Sequence, residues 1–549
     1  MARRQPRRQW PSPVLLLAAV LAVFARTAAA AVIEHNFNIT WVWADPDGQR
    51  ARPVIGVNGV FPPPALAATV GDTVVINTWN SLGNQSTSLH FHGIYMNTTS
   101  HMDGTAGVSQ CSIRPGESFT YRFRVDQPGT YWYHSHTTSQ YPDGLRGMLV
   151  IADTDSPYVG QYSDEIVLSL SDWYHDQMVT LLDDYDTNGG DPEPDSIMIN
   201  DTTNVTVAVK PGTTYLVRVA NIAAYVGIYF WIEGHVMRIV EADGVWTQPA
   251  EATLIYLAAG QRHSFLLTTR PDAQANFAMV ARMDPELQYL DESERAVGWL
   301  TYDDQKPFPD AKVVEDFSGA FDDMALVPYD QQPVLGPEVG QSITLAIGMG
   351  MAMDGGHHWR FNSSTYQTPS LPTLFSALDE AANVTDPDLY GKNSQPIVLA
   401  HNQVTELVII NKHPMDHPVH LHGHSFQILQ RTAASSRQDV WAVVDPNATP
   451  VRRDTVLVRS GGAARIRFVS DNPGVWLLHC HMEWHSHSGL VATIIEAPEE
   501  IQRQGLIKAL PVGTDSKRVC EMQDVRPAME WHEIVELGSG VKIRFTRKQ

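Results

Sequence analysis

Residues 476–490 read WLLHCHMEWHSHSGL. His479, Cys480 and His481 are consecutive, and His485 follows four residues later. The apolar run Val475, Trp476, Leu477, Leu478 in front of them suits a buried strand. In a strand, successive side chains point to opposite faces. Cys480 is therefore expected to face one way, and His479 and His481 the other. A metal held by the cysteine would then be joined through a few covalent bonds to metals held by both histidines. A soft thiolate with two imidazoles suits copper, and two histidines, one cysteine and a weak axial position make the blue-copper arrangement.

Three more histidine clusters lie upstream: His90-Phe91-His92-Gly93, His134-Ser135-His136, and His417-Pro418-Val419-His420-Leu421-His422-Gly423-His424. One His-x-His motif says little. Four clusters in this order, spread over both ends of a long chain, resemble the signature of the multicopper oxidases. The resemblance covers nearly the whole chain after its first thirty residues. It includes Asp172-Trp173-Tyr174-His175 and Tyr229-Phe230-Trp231-Ile232-Glu233, where no copper motif lies. Those middle segments look most like the fungal iron-uptake ferroxidase branch.

The 549 residues suffice for three ordinary domains, and 43% hydrophobic content permits large cores. A net charge of −22 excludes nucleic acid as an expected partner. Residues 1–30 read as a signal peptide. Arg3, Arg4, Arg7 and Arg8 precede the apolar run Val14 to Phe24, and Ala28-Ala29-Ala30 forms a small-residue exit. No later stretch is apolar enough to span a bilayer. The final residues, 542–549, carry neither anchor nor retention signal. We therefore expect a secreted product, in the medium or the cell wall, and a monomer. Asn-x-Ser/Thr triplets at Asn38, Asn84, Asn97, Asn200, Asn204, Asn362, Asn383 and Asn447 fit that route. Of three cysteines, Cys480 is the expected ligand. Cys111 and Cys520 remain, and we expect a disulfide between them, the pairing the resemblance also implies.

The expected fold is all-β, with three cupredoxin-like β-sandwiches of Greek-key type. Short Val/Ile/Thr/Tyr/Phe runs alternate with Gly, Pro, Asn and Asp turns throughout. We place the first domain at 31–158, the second at 159–305, a linker rich in Asp and Pro at 306–340, the third domain at 341–500 and a tail with some helical potential at 501–549. Histidine motifs at the end of the first domain and again in the third fit copper sites between those two.

A blue (type 1) site needs two histidines and one cysteine, which His417, Cys480 and His485 supply. Ten residues after Cys480 stands Leu490, an apolar side chain that cannot ligate. Loss of an axial donor should raise the copper potential. The resemblance implies that His90 and His420 hold a type 2 copper. It gives a type 3 pair to His92, His134, His136, His422, His479 and His481, making four coppers in all. His424, His487, His101 and His175 are left over and read as supporting or surface groups. Asp103 and Glu483 match acidic positions that the family uses for proton delivery to dioxygen. Asp103 precedes Gly104 and reads equally as a turn residue.

The donor is read from carboxylates expected near the blue copper. By resemblance, Asp191 or Glu193 fills one acidic position and Asp284 another. A further acid is replaced by Tyr289, and the acid four residues before His417 is replaced by His413. Tyr366 matches a tyrosine near the same site. This partial set, with no anchor, favours a laccase-like oxidase that takes single electrons from phenolic or aromatic donors. In that reading His485 or His417 is met at the surface, and Asp191 or Glu193 accepts the phenolic proton. The alternative is a soluble ferroxidase acting on Fe(II). A copper-binding protein without turnover fits poorly with a complete ligand set.

Overall fold

The computed structural model describes residues 30–272, 275–285, 294–312, 314–351, 357–369, 371–379 and 382–504. Six sheets fall into three sequential pairs. Residues 32–152 form two four-stranded sheets. Residues 164–301 form a six- and a five-stranded sheet, and so do residues 341–496. The alternation in Ser118–Arg124, with every second residue buried, shows why these segments are strands with one face on a core. The chain is all-β with Greek-key sandwiches, as its punctuation implies. The longest helix among the described residues is Met178–Asn188, whose last turn hands over to Asp191.

One pairing recurs in each sandwich. Val32–Ala44 runs parallel to Thr73–Asn80, Asp164–Trp173 to Thr214–Asn221, and Gln341–Met351 to Val404–Asn411. Most other neighbours are antiparallel. The internal repeat is therefore plain in topology although faint in sequence.

Buried ion pairs tie the sandwiches together. Arg262, from the second, donates to both oxygens of Asp454, from the third, at 2.7 and 2.6 Å, and to Thr130 O of the first. Arg453 grips Asp243 through Nε and Nη2, both at 2.9 Å, and donates to Asp323 at 2.7 Å. Asp323 belongs to the 306–340 segment, so that segment is pinned to the third sandwich by Arg453 and Arg431. Cys111 is disulfide-bonded; its expected partner Cys520 lies outside the described residues. No helix among the described residues is long and apolar enough to cross a membrane.

Candidate metal centre and donor cavity

Strand Gly474–Cys480 pairs antiparallel with His417–Leu421, setting Val419 opposite Cys480 and His420 opposite His479. Opposed residues share a face. Alternation therefore sends His417 and Cys480 to one side, and His420 and His479 to the other. This is the division that residues 476–490 imply.

On the first side three donor atoms converge. Cys480 Sγ lies 3.6 Å from Nδ1 of both His417 and His485, and those nitrogens are 3.2 Å apart. His485 arrives from the short helix Glu483–His487. Its Nε2 donates to Asp191 Oδ2 at 3.1 Å, which leaves the Nδ1 lone pair free for the triangle. Burial, helped by the nearby carboxylates of Asp191 and Glu483, pushes the Cys480 thiol up from its ordinary value. A cation in the triangle opposes that and holds a thiolate. Leu490 is fully buried beside it, accepting from Cys480 N at 3.1 Å and donating to His485 O at 2.9 Å.

On the second side eight histidines meet between the first and third sandwiches. Strands His90–His92 and Gly129–His134 pair with His90 opposite His134. His90 stacks on His422 and His92 on His420, with centroids 3.9 and 3.8 Å apart. His479 Nδ1 donates to the Cys480 carbonyl and His422 Nδ1 to Asp103 Oδ2, each at 2.9 Å. Both Nε2 atoms are then lone-pair acceptors, and they face each other at 3.2 Å. Two bare lone pairs so placed need a cation between them. The Nε2 atoms of His90, His134 and His420 are likewise buried without a hydrogen-bond partner. Burial holds His92, His134, His136, His422, His479 and His481 well below the usual histidine range, so they stay neutral as ligands must. The donors therefore fit a cluster of transition-metal ions. Gly260 closes one wall, with φ of +86°, and a Cβ there would meet His92 and His481 at 2.9 and 3.0 Å.

Asp103 is fully buried and accepts from Thr105 Oγ1 at 2.6 Å as well as from His422. It orients a ligand, beyond any turn role. Glu483 is half-buried; desolvation pushes its carboxyl up to about 8. Three of the four surplus histidines are engaged in other ways. His424 meets Glu496 at 2.6 Å, His487 meets Asp186 at 3.2 Å, and His175 sits between Asp47 and Asp195. His101 is buried, and desolvation lowers it to about 4.

A cavity of about 1150 Å³ lies against the blue-site side. Asp191, His413, Trp359, Met415 and Asp186 are among its walls. Burial would raise the Asp191 carboxyl, but His485 and the Tyr225 hydroxyl outweigh it and hold it below its ordinary value. Glu193, Asp284 and Tyr366 are not among the wall residues. Glu193 is exposed, Asp284 is buried against the Tyr256 hydroxyl, and Tyr366 packs with the apolar cluster containing Leu374 and Val475. Tyr289 lies outside the described residues.

Sequence reasoning did not single out Asp454 or Trp359. Asp454 meets His92 Nε2 at 3.3 Å, and its carbonyl accepts from His420 Nδ1 at 2.9 Å. The histidine clusters gave no pointer to it, because its partner His92 is 362 positions away.

The sequence matches the family description "Multicopper oxidase" over residues 38–156, 164–305 and 366–500. The chain is 49% identical to the iron transport multicopper oxidase fetC of Epichloe festucae, covering 93% of this chain and 82% of that one. It is 37% identical to the iron transport multicopper oxidase FET3 of Saccharomyces cerevisiae, over 89% and 79%. In three dimensions it is similar to Fet3p, described as a multicopper oxidase that functions in iron import. The TM-score is 0.84 at 36% identity, over 90% of this chain and 96% of that one. The laccase of Botrytis aclada aligns with TM-score 0.81 at 27% identity, over 90% and 93%.

The iron transport relatives overturn the laccase-like reading of the sequence in favour of its alternative. The geometry supplies a physical reason. His417 and His485 are both fully buried, not surface imidazoles that a phenol could touch. By motif, fold and likeness along nearly its whole length, this chain belongs to the multicopper oxidase family, oxygen-linked oxidoreductases carrying one type 1, one type 2 and two type 3 coppers.

Proposed function

We propose that the protein is a ferroxidase, oxidising Fe(II) to Fe(III) and passing the electrons to dioxygen. The carrying observation is Asp191, a carboxylate on the cavity wall that also touches the blue-site His485. Hard iron prefers oxygen ligands, and Asp191 is kept ionised to serve as one. In this reading His417, Cys480 and His485 hold type 1 copper. His90 and His420 hold type 2. His92, His134, His136, His422, His479 and His481 hold the type 3 pair.

Bound copper supplies one-electron steps at the blue site and pooled reduction of dioxygen to water at the cluster. The chain supplies the path and the positioning. Asp191 Oδ2 leads to His485 Nε2, and the triangle leads to Cys480 Sγ. From there the backbone reaches His479 and His481 directly. Asp103 fixes the His422 ring. Glu483, raised by desolvation, keeps its proton near neutrality and is the group proposed to release it toward the cluster. Secretion is part of the same proposal. The disulfide at Cys111 supports an oxidising compartment.

Asp191→Ala tests the assignment. It should lower kcat/KM for Fe(II) by about 10- to 100-fold, as loss of a residue supporting a ligand does, while the blue absorption persists. An unchanged kcat/KM would contradict it.

A further inference from the structure

We propose that Trp359 is the specificity-determining residue of the donor site, shutting organic donors away from His485 and leaving a carboxylate as the open route for a metal ion. The inference rests on the ferroxidase reading. Cavity size does not exclude aromatic donors, since about 1150 Å³ exceeds what most small organic ligands need. Exclusion comes from what forms the wall. The Trp359 ring lies 4.1 Å from the His485 ring at 37°, and 4.9 Å from His417. It also meets His413 at 4.6 Å. Trp359 is 2% exposed, while His485 and His417 are 0% exposed.

The indole is held firmly. Its backbone N–H donates to Ser488 O at 3.0 Å, just past the helix that carries His485. Tyr185 adjoins it in the same cavity wall. The remaining polar edge of His485, Nε2, is capped by Asp191. A phenol in the cavity therefore meets the indole and the carboxylate in front of His485, and reaches neither the His485 nor the His417 ring, which are not among the wall residues. To reduce the blue site it would give one electron and release one proton, and it lacks close contact with a ligand through which to do so. A ferrous ion bound by Asp191 has that contact.

The test compares wild type with W359A and W359F, copper-loaded and anaerobic. Bleaching of the blue absorption is timed with Fe(II) and with a methoxyphenol in separate runs, and the midpoint potential is measured. W359A should raise the phenol-to-Fe(II) rate ratio by at least about tenfold, the low end for a change in pocket shape. W359F, which keeps a ring, should raise it less. Potential changes act on both donors and largely cancel in the ratio. Crystals of W359A soaked with a redox-inert dimethoxybenzene should show the ring against His485, and wild-type crystals should not. An unmoved ratio, or a ring absent from His485 in W359A, overturns the proposal. If W359A does not fold, an unmoved ratio in W359L overturns it equally. Failure of Fe(II) to bleach the wild type sinks the ferroxidase reading instead, whatever Trp359 does to the ratio.

Discussion

Asp191 and His413 share one cavity wall, and they differ in what they offer iron. A carboxylate is a hard oxygen donor; an imidazole is softer. His413 has an Nδ1 that is buried without a partner, and burial lowers it from the ordinary histidine value. Replacing it by a carboxylate should improve the site for a hard cation. His413→Asp is expected to lower KM for Fe(II) severalfold with little change in kcat, measured by oxygen uptake. An unchanged or raised KM would place the iron path elsewhere. The two faces of the candidate metal centre were legible because alternation in a strand is a local rule: Cys480 between His479 and His481 specifies two faces without any tertiary information. Trp359 was not legible. A tryptophan in an ordinary strand carries no mark of which rings it will cover.

At the level of elements, two strand pairs and one aspartate assemble the cluster. Register alone brings His420 beside His479 and His90 beside His134. Asp454, next to the two-residue strand Arg452–Arg453, then reaches across to His92 while Arg262 neutralises it. Burial would raise its carboxyl, but Arg262 and the contacts to His420 and His92 hold it well below its ordinary value. Asp454→Asn keeps the shape and removes the charge. It should weaken copper retention at the cluster by about 10- to 100-fold, the usual scale for groups that support ligands. The blue absorption should remain. Full copper content after dialysis against a chelator would refute the role. The strands themselves were readable from turn residues and β-branched runs. Their order was not, because the parallel pairing shared by all three sandwiches joins residues 41, 51 and 64 positions apart.

Across the whole molecule, buried charge pairs hold the sandwiches in the arrangement the cluster needs. Asp323 is one link from the 306–340 segment, buried where Asp322 and Asp330 pair with Arg431 and Arg452 nearer the surface. Burial would raise its carboxyl, but Arg431 and Arg453 hold it well below its ordinary value of 3.8. Its folded value is thus lower than its unfolded one, so on acidification the unfolded chain takes up the proton first. The stabilisation is complete above about pH 4 and drains away as pH falls further. Asp323→Asn should cost about 3 kcal/mol at neutral pH, the low end for a broken buried pair, because Arg453 keeps Asp243. In scanning calorimetry its melting temperature should fall at pH 7 and converge on that of wild type in strong acid. Parallel curves at all pH values would show that the pair contributes nothing through its charge. In sequence the 306–340 segment reads as a linker and carries no sign of its anchoring, since Asp323, Arg431 and Arg453 are ordinary surface residue types until the fold buries them.

Whether the cavity serves iron is the central question, and oxygen uptake answers it most directly. The copper-loaded protein would be given Fe(II) and a simple methoxyphenol in separate runs. A ferroxidase should show saturable Fe(II) oxidation at micromolar concentrations, within the usual span of KM values from about 1 μM, with slow phenol turnover. Fast phenol oxidation with poor, unsaturable Fe(II) turnover would contradict it.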